Sequence, residues 1–195
     1  MNSSFPKIKF MKKWFLIAAL FVGYSSHSQA AIMIDPYIGY EMGSGTDKSV
    51  DSGFSTKAIN VGARLGWLTD SGTTFVGVDY NTLFDGSVDY EGDSRDAFNK
   101  SIIMATALYN FQNNPYRIYA GVGVDSWTIK NDNHSKLSGM AYKVGLGYTR
   151  YKPVTINFEY IVESFNKASD DTNSDVDAKV SNNVMMLNVS WPIKF

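Results

Sequence analysis

Residues 183–195 alternate with a period of two. Counting back from Phe195, the residues Ile193, Trp191, Val189, Leu187 and Met185 form a wholly apolar set. Lys194, Pro192, Ser190, Asn188, Met186 and Val184 form the other, largely polar or small. Successive side chains of a strand point to opposite faces. A strand with one fully apolar face has two homes: over the core of a soluble sheet, or against lipid. The rest of the chain decides between them.

Seven further segments alternate in the same way, over about residues 33–42, 56–68, 73–84, 100–111, 116–129, 138–151 and 154–165. One set in each is apolar, as Ile59, Val61, Ala63, Leu65 and Trp67 are in the second. The fourth segment is apolar on both sides, so its outward face is open; Ile103, Ala105, Ala107, Tyr109 and Phe111 are the expected outward set. The opposite sets of the other segments carry Asp35, Glu41, Arg64, Asp79, Arg117, Asp125, Lys143, Glu159 and Glu163. Unpaired charges of this kind cannot fill a soluble core. Turned inward, with the aliphatic faces toward lipid, both sets are satisfied. Closing the sheet also pairs every backbone N–H and C=O that hydrocarbon would leave unmet. The expected fold is therefore all-β: an eight-stranded antiparallel up-and-down transmembrane β-barrel. Aromatics near the segment ends suit two interfacial girdles, with Trp67, Tyr109, Phe111, Tyr116, Tyr148, Tyr151, Trp191 and Phe195 at one end and Tyr40, Tyr80, Phe84, Tyr142 and Tyr160 at the other.

The connections support this reading. Short turns at 69–72, 112–115 and 152–153 alternate strictly with longer polar stretches at 43–55, 85–99, 130–137 and 166–180. Transmembrane barrels build this asymmetry from tight periplasmic turns and longer external loops.

The first thirty residues read as an address. Lys7, Lys9, Lys12 and Lys13 precede the apolar run 14–22, and Ser28-Gln29-Ala30 offers a cleavage site before Ala31. The run is too short for the roughly twenty residues of a membrane-spanning helix. Met11 opens a complete signal start of its own, so initiation stands open between Met1 and Met11. Residues 1–30 are expected to be a Sec-type signal peptide and residues 31–195 the barrel. Four of the 18 basic residues and none of the 19 acidic ones lie in the leader, so the remainder is net acidic and offers no basic patch for nucleic acid. With no Cys, disulfides and thiolate metal sites are excluded.

Taken together, the leader, the eight segments, the alternating connections and the final Phe195 make the chain resemble the small bacterial outer-membrane barrels of the OmpA/OmpX type. The resemblance rests on pattern, and it specifies fold better than function. It implies an outer-membrane location, a monomeric state, and contact with membrane lipid and lipopolysaccharide. It also implies delivery by periplasmic chaperones to the barrel-assembly machinery, with Phe195 and Trp191 as the assembly signal. No linker or second domain, such as a peptidoglycan-binding module, is expected after the barrel.

Chemistry is sparse. The inward charges Glu41, Arg64, Asp79, Arg117, Asp125, Lys143, Glu159 and Glu163 are candidates for an interior polar network. An eight-stranded lumen is about filled by side chains, so a satisfied core is expected before a polar pathway. Catalysis would have to use His134, the one His after cleavage, with Ser135 and Asp132. A His-Ser neighbour pair in a loop lacks the strand-held base that a hydrolase needs. Residues 170–177 place Asp171, Asn173, Asp175 and Asp177 at alternate positions, like the start of a calcium loop. Val176 stands where that loop needs Gly, and Asn182 where it needs Glu. No catalytic, metal or cofactor site is expected. The expected role is structural or surface interaction, ahead of a narrow channel for ions or small solutes, with a lipid A-modifying enzyme third.

Overall fold

The structure is a computed structural model that describes residues 30–48, 51–90, 95–130, 136–169 and 176–195. They form strands β1 (Ala31–Asp47), β2 (Ser52–Leu68), β3 (Thr74–Tyr90), β4 (Arg95–Asn110), β5 (Tyr116–Lys130), β6 (Lys136–Tyr148), β7 (Thr155–Ser169), β8 (Val176–Ser190) and the two-residue β9 (Ile193–Lys194). Each of the eight long strands pairs antiparallel with the next, and β1 also pairs with β8, closing the barrel. The expected last strand at residues 183–195 is one line with a gap. Tyr37 faces Ser190 and Ile34 faces Ile193, so β8 and β9 share a register against β1. The gap falls at Pro192, which has no N–H for the ladder. On either side, Trp191 N–H donates to the Pro36 carbonyl at 3.0 Å and Phe195 N–H to that of Ile32 at 2.9 Å.

The turns at 69–73, 111–115 and 149–154 close one end. In the first, Gly72 N–H returns to the Thr69 carbonyl at 2.7 Å. Gly72 sits at φ 67°, where a side chain would be strained. At the other end the strands run farther than expected. The stretches 43–55, 85–99 and 166–180, read as loops, are largely strand, 130–137 gives up one residue to β5 and two to β6, and the gaps between strands shrink to 48–51, 91–94, 131–135 and 170–175.

The reason is a change of phase. Along β5, Ile118, Val122 and Val124 point outward while Arg117, Tyr119 and Asp125 are buried inside. Beyond Asp125 the outward positions become Ser126, Thr128 and Lys130, and the inward ones Trp127 and Ile129. Along β8, Leu187 and Met185 face out, followed by Asn183, Ser181 and Lys179, with Val180 buried inside. Strands of 13 to 17 residues exceed the roughly 9–11 that cross the hydrocarbon. The excess stands clear of it as a barrel of ordinary soluble polarity.

Below the switch the outer surface is an uncharged apolar belt. It includes Ile38, Leu65, Val78, Ile103, Val144 and Leu187, all exposed. On the fourth strand, Ile103, Ala105, Ala107 and Tyr109 face out and Ile102, Met104, Thr106 and Leu108 in, the arrangement expected, and Phe111, the last of the expected outward set, is exposed in the turn that follows. At the turn end the rings of Tyr109–Phe111, Tyr116–Tyr148 and Tyr148–Tyr151 pair 5.2, 5.4 and 5.8 Å apart, and Trp67 is 64% exposed.

Inside, apolar and ionic layers alternate. Successive inward residues of β7 are Glu159, Ile161, Glu163 and Phe165, all buried. Met33, Leu68, Phe75, Leu108 and Tyr119 cluster at the turn end, and Ile102, Met104, Ala141, Ile161, Val184 and Met186 cluster with Tyr37 at mid-height. The far end is plugged by a cluster centred on Trp127, whose ring meets Phe98 at 4.7 Å, Phe165 at 5.1 Å and Phe54 at 6.2 Å. Glycines give these rings space. Opposite Tyr119 stands Gly145, and a Cβ there would lie 2.3 Å from Cζ of the Tyr119 ring.

Candidate functional site

The two ionic layers hold every inward charge that the sequence singled out. In the lower layer Arg64 is central. Its Nη1 donates to Asp35 Oδ2 at 2.9 Å, its Nη2 donates to Glu159, and its Nε lies 3.3 Å from Asp79 Oδ2. The rings of Tyr37 and Tyr119 stand 4.5 and 4.7 Å from the guanidinium carbon. Their hydroxyls donate to Asp79 at 2.8 Å and Glu159 at 2.7 Å. Each tyrosine thus contacts both the cation and one of its carboxylates. Lys143 pairs with Asp79 and, at 3.1 Å, with Glu159. Arg117 shares Asp35 Oδ2 at 2.9 Å and also donates to Asn157 and Ser190. Three carboxylates meet three cations here, the pairing that burial of charge demands.

The upper layer turns on Lys100, which sequence reading missed. Its ammonium donates to Glu41 at 2.6 Å and to Glu163 at 2.8 Å. Asn60 and Asn182 donate to the second oxygens of those carboxylates at 2.9 and 2.8 Å. Asp125, 2% exposed, completes the layer. The signal for Lys100 was present: it shares the parity of Ile102 and Met104. Because both faces of the fourth segment are apolar, parity alone did not single out its one inward cation.

The other candidates stand apart from this core. His134, Ser135, Asp132, Asp171, Asn173 and Asp175 lie outside the described residues. Asn182, which stands where a calcium loop would need its closing Glu, is an interior residue of β8, hydrogen-bonded to Glu163. Asp177 sits in β8, exposed. Trp191 is exposed beside the gap before β9, and Phe195 is exposed at the turn end.

A closed antiparallel barrel with a greasy belt, an ionic interior and aromatic rings at its rim belongs to the class of transmembrane β-barrels. The sequence profile of the family described as "Outer membrane protein beta-barrel domain" matches residues 16–191, and the chain belongs to that family. It is a bacterial outer-membrane protein. No curated protein matches it by sequence. Among solved structures it is similar to Neisserial surface protein A, at 16% identity over 81% of this chain and 96% of that one, with a TM-score of 0.54. It is similar to Ail, the attachment invasion locus protein of Yersinia pestis, at 13% identity over 83% of this chain and 98% of that one, TM-score 0.54. OprG from Pseudomonas aeruginosa aligns at 16% identity over 86% and 97% of the two chains, TM-score 0.52. At these identities the likeness is one of fold.

Proposed function

We propose that this protein is a structural and surface-interacting barrel that presents its projecting end to the medium and conducts nothing through its lumen. The observation that carries this reading is the filled cross-section. Two ionic layers alternate with three apolar clusters along the inward face, and the Trp127 cluster caps the far end. An ion entering the lumen would have to separate buried pairs, each break costing roughly 3–5 kcal/mol. In this reading residues 1–30 are removed on export, and chaperones and the assembly machinery recognise Trp191 and Phe195. The strand ends and connections at 48–51, 91–94, 131–135 and 170–175 meet lipopolysaccharide and external partners. Ail, a structural neighbour, is the attachment invasion locus protein of Yersinia pestis and has been crystallised with the heparin analogue sucrose octasulfate. That neighbour supports an adhesive role for the projecting end.

Planar-bilayer recordings of the purified barrel test the channel alternative, and the expected result is a silent membrane. Reproducible unitary steps that vanish on heat unfolding would overturn the reading in favour of the channel. A deletion strain scored for envelope integrity, adhesion and solute uptake separates the structural from the adhesive role. Lipid A of unchanged mass after incubation with the protein is expected, and a mass change would assign an enzyme instead.

A further inference from the structure

The turn end opens into a vestibule of about 950 Å³ that the lower ionic layer meets only through Arg117. Its wall carries Arg117, Arg150, Lys152 and Lys194, and no Asp or Glu is among the described residues lining it. Three of the four cations stand at the rim, exposed. Lys194 faces Met33, an inward residue, and its Nζ lies 3.4 Å from where a Cβ on Gly72 would stand, so it leans over the mouth. The fourth cation is different. Arg117 is 2% exposed and forms part of the wall from within. Its Nε and Nη2 are taken by Asn157, Asp35 and Ser190, whereas Nη1 has no hydrogen-bond partner among the described residues. A guanidinium fork held rigidly by its inner side, with one nitrogen free, matches the planar recognition of carboxylate and phosphate oxygens. The exposed amides of Gln112, Asn113 and Asn114 add further donors around it. The volume lies within the usual range for small-molecule sites.

We propose that the vestibule binds an anionic group, a phosphate or a carboxylate, with Arg117 as the fixed floor and Arg150, Lys152 and Lys194 as the mobile rim. The inference rests on the topology proposed above only for the source of the ligand, which a periplasm-facing mouth would draw from that compartment. Binding itself does not depend on orientation and is measured on the purified protein.

The test uses the full barrel in phosphatidylcholine nanodiscs, with arginine and lysine side chains observed by nitrogen NMR. Inorganic phosphate and acetate are titrated at constant ionic strength against chloride. Saturable shifts at Arg117 Nε are expected for phosphate or acetate, and none for chloride. The R150Q/K152Q variant removes exposed rim charges and should weaken binding about tenfold, each partly screened charge contributing a few-fold. K57Q/K136Q, at the opposite end, should leave it unchanged. Discs containing phosphatidylglycerol decide the source. A weaker apparent phosphate affinity there assigns a lipid headgroup, and an unchanged one assigns a soluble anion. The proposal fails if Arg117 does not respond, if chloride acts equally well, or if the rim variant binds like the parent. Such failure would leave the silent, surface-interacting barrel untouched.

Discussion

Arg64 shows how a single side chain can hold a lumen together. It contacts three carboxylates, from β1, β3 and β7, and lies between two tyrosine rings. Arg64→Ala should lower stability by about 3–5 kcal/mol, because Asp35, Asp79 and Glu159 lose a shared buried cation. Urea titration of the detergent-refolded barrel measures this; an unchanged midpoint would mean the layer is hydrated and its charges independent. The upper layer is more exposed to loss, since Lys100 is the one cation among the described residues that pairs with Glu41 and Glu163. Lys100→Met, close in volume, should therefore destabilise at least as much as Arg64→Ala in the same titration. Space matters at the same scale. Gly145→Ala would push against the Tyr119 ring across the strand pair, and overpacking of this kind costs about 1–3 kcal/mol.

At the scale of the strand, the phase switch explains what was legible in the sequence and what was not. Within the belt, alternation of Ile118, Val122 and Val124 against Arg117 and Asp125 reports orientation directly, and the inward charges follow from it. Past Asp125 the apolar residues Trp127 and Ile129 keep the parity of the charges, so the period continues while its meaning reverses. A reading keyed to greasy outward faces stops there, which is why the upper strand ends at 43–47, 52–55 and 95–99 read as loop in the sequence. The pairing partners within each layer were also illegible. Arg64 and Glu159 lie 95 residues apart, and only closure of the sheet brings them together. Nitroxides placed at positions 122 and 124 should be reached by dissolved oxygen in lipid, and those at 128 and 130 by a water-soluble nickel complex. Oxygen accessibility at 128 would mean that the hydrocarbon extends above the switch. At the opposite end, deletion of Phe195 should reduce the amount of barrel in the outer membrane, read by fractionation, while refolding in detergent persists. Equal loss in both assays would make Phe195 a stability residue instead of a recognition signal.

For the whole molecule, the two ends differ in reach. Turns of a few residues close one, and strands that outrun the hydrocarbon build the other. The chain has no Cys, so single cysteines report topology without background. Cysteine at position 51 should react with a membrane-impermeant maleimide on intact cells, whereas cysteine at position 71 or 113 should react only after the outer membrane is permeabilised. Labelling of position 71 on intact cells would invert the molecule.

Outward lysines above the switch, among them Lys57, Lys130, Lys136 and Lys179, have a kinetic consequence. To withdraw the barrel, or to insert it from the other leaflet, each would have to pass the bilayer midplane. At roughly 2–4 kcal/mol apiece for a lipid-facing lysine there, four add about 8–16 kcal/mol to the barrier. The upper barrel therefore acts as a one-way catch: once it has crossed and closed, spontaneous escape is slow, and residence in the membrane is secured by a rate as well as by an equilibrium.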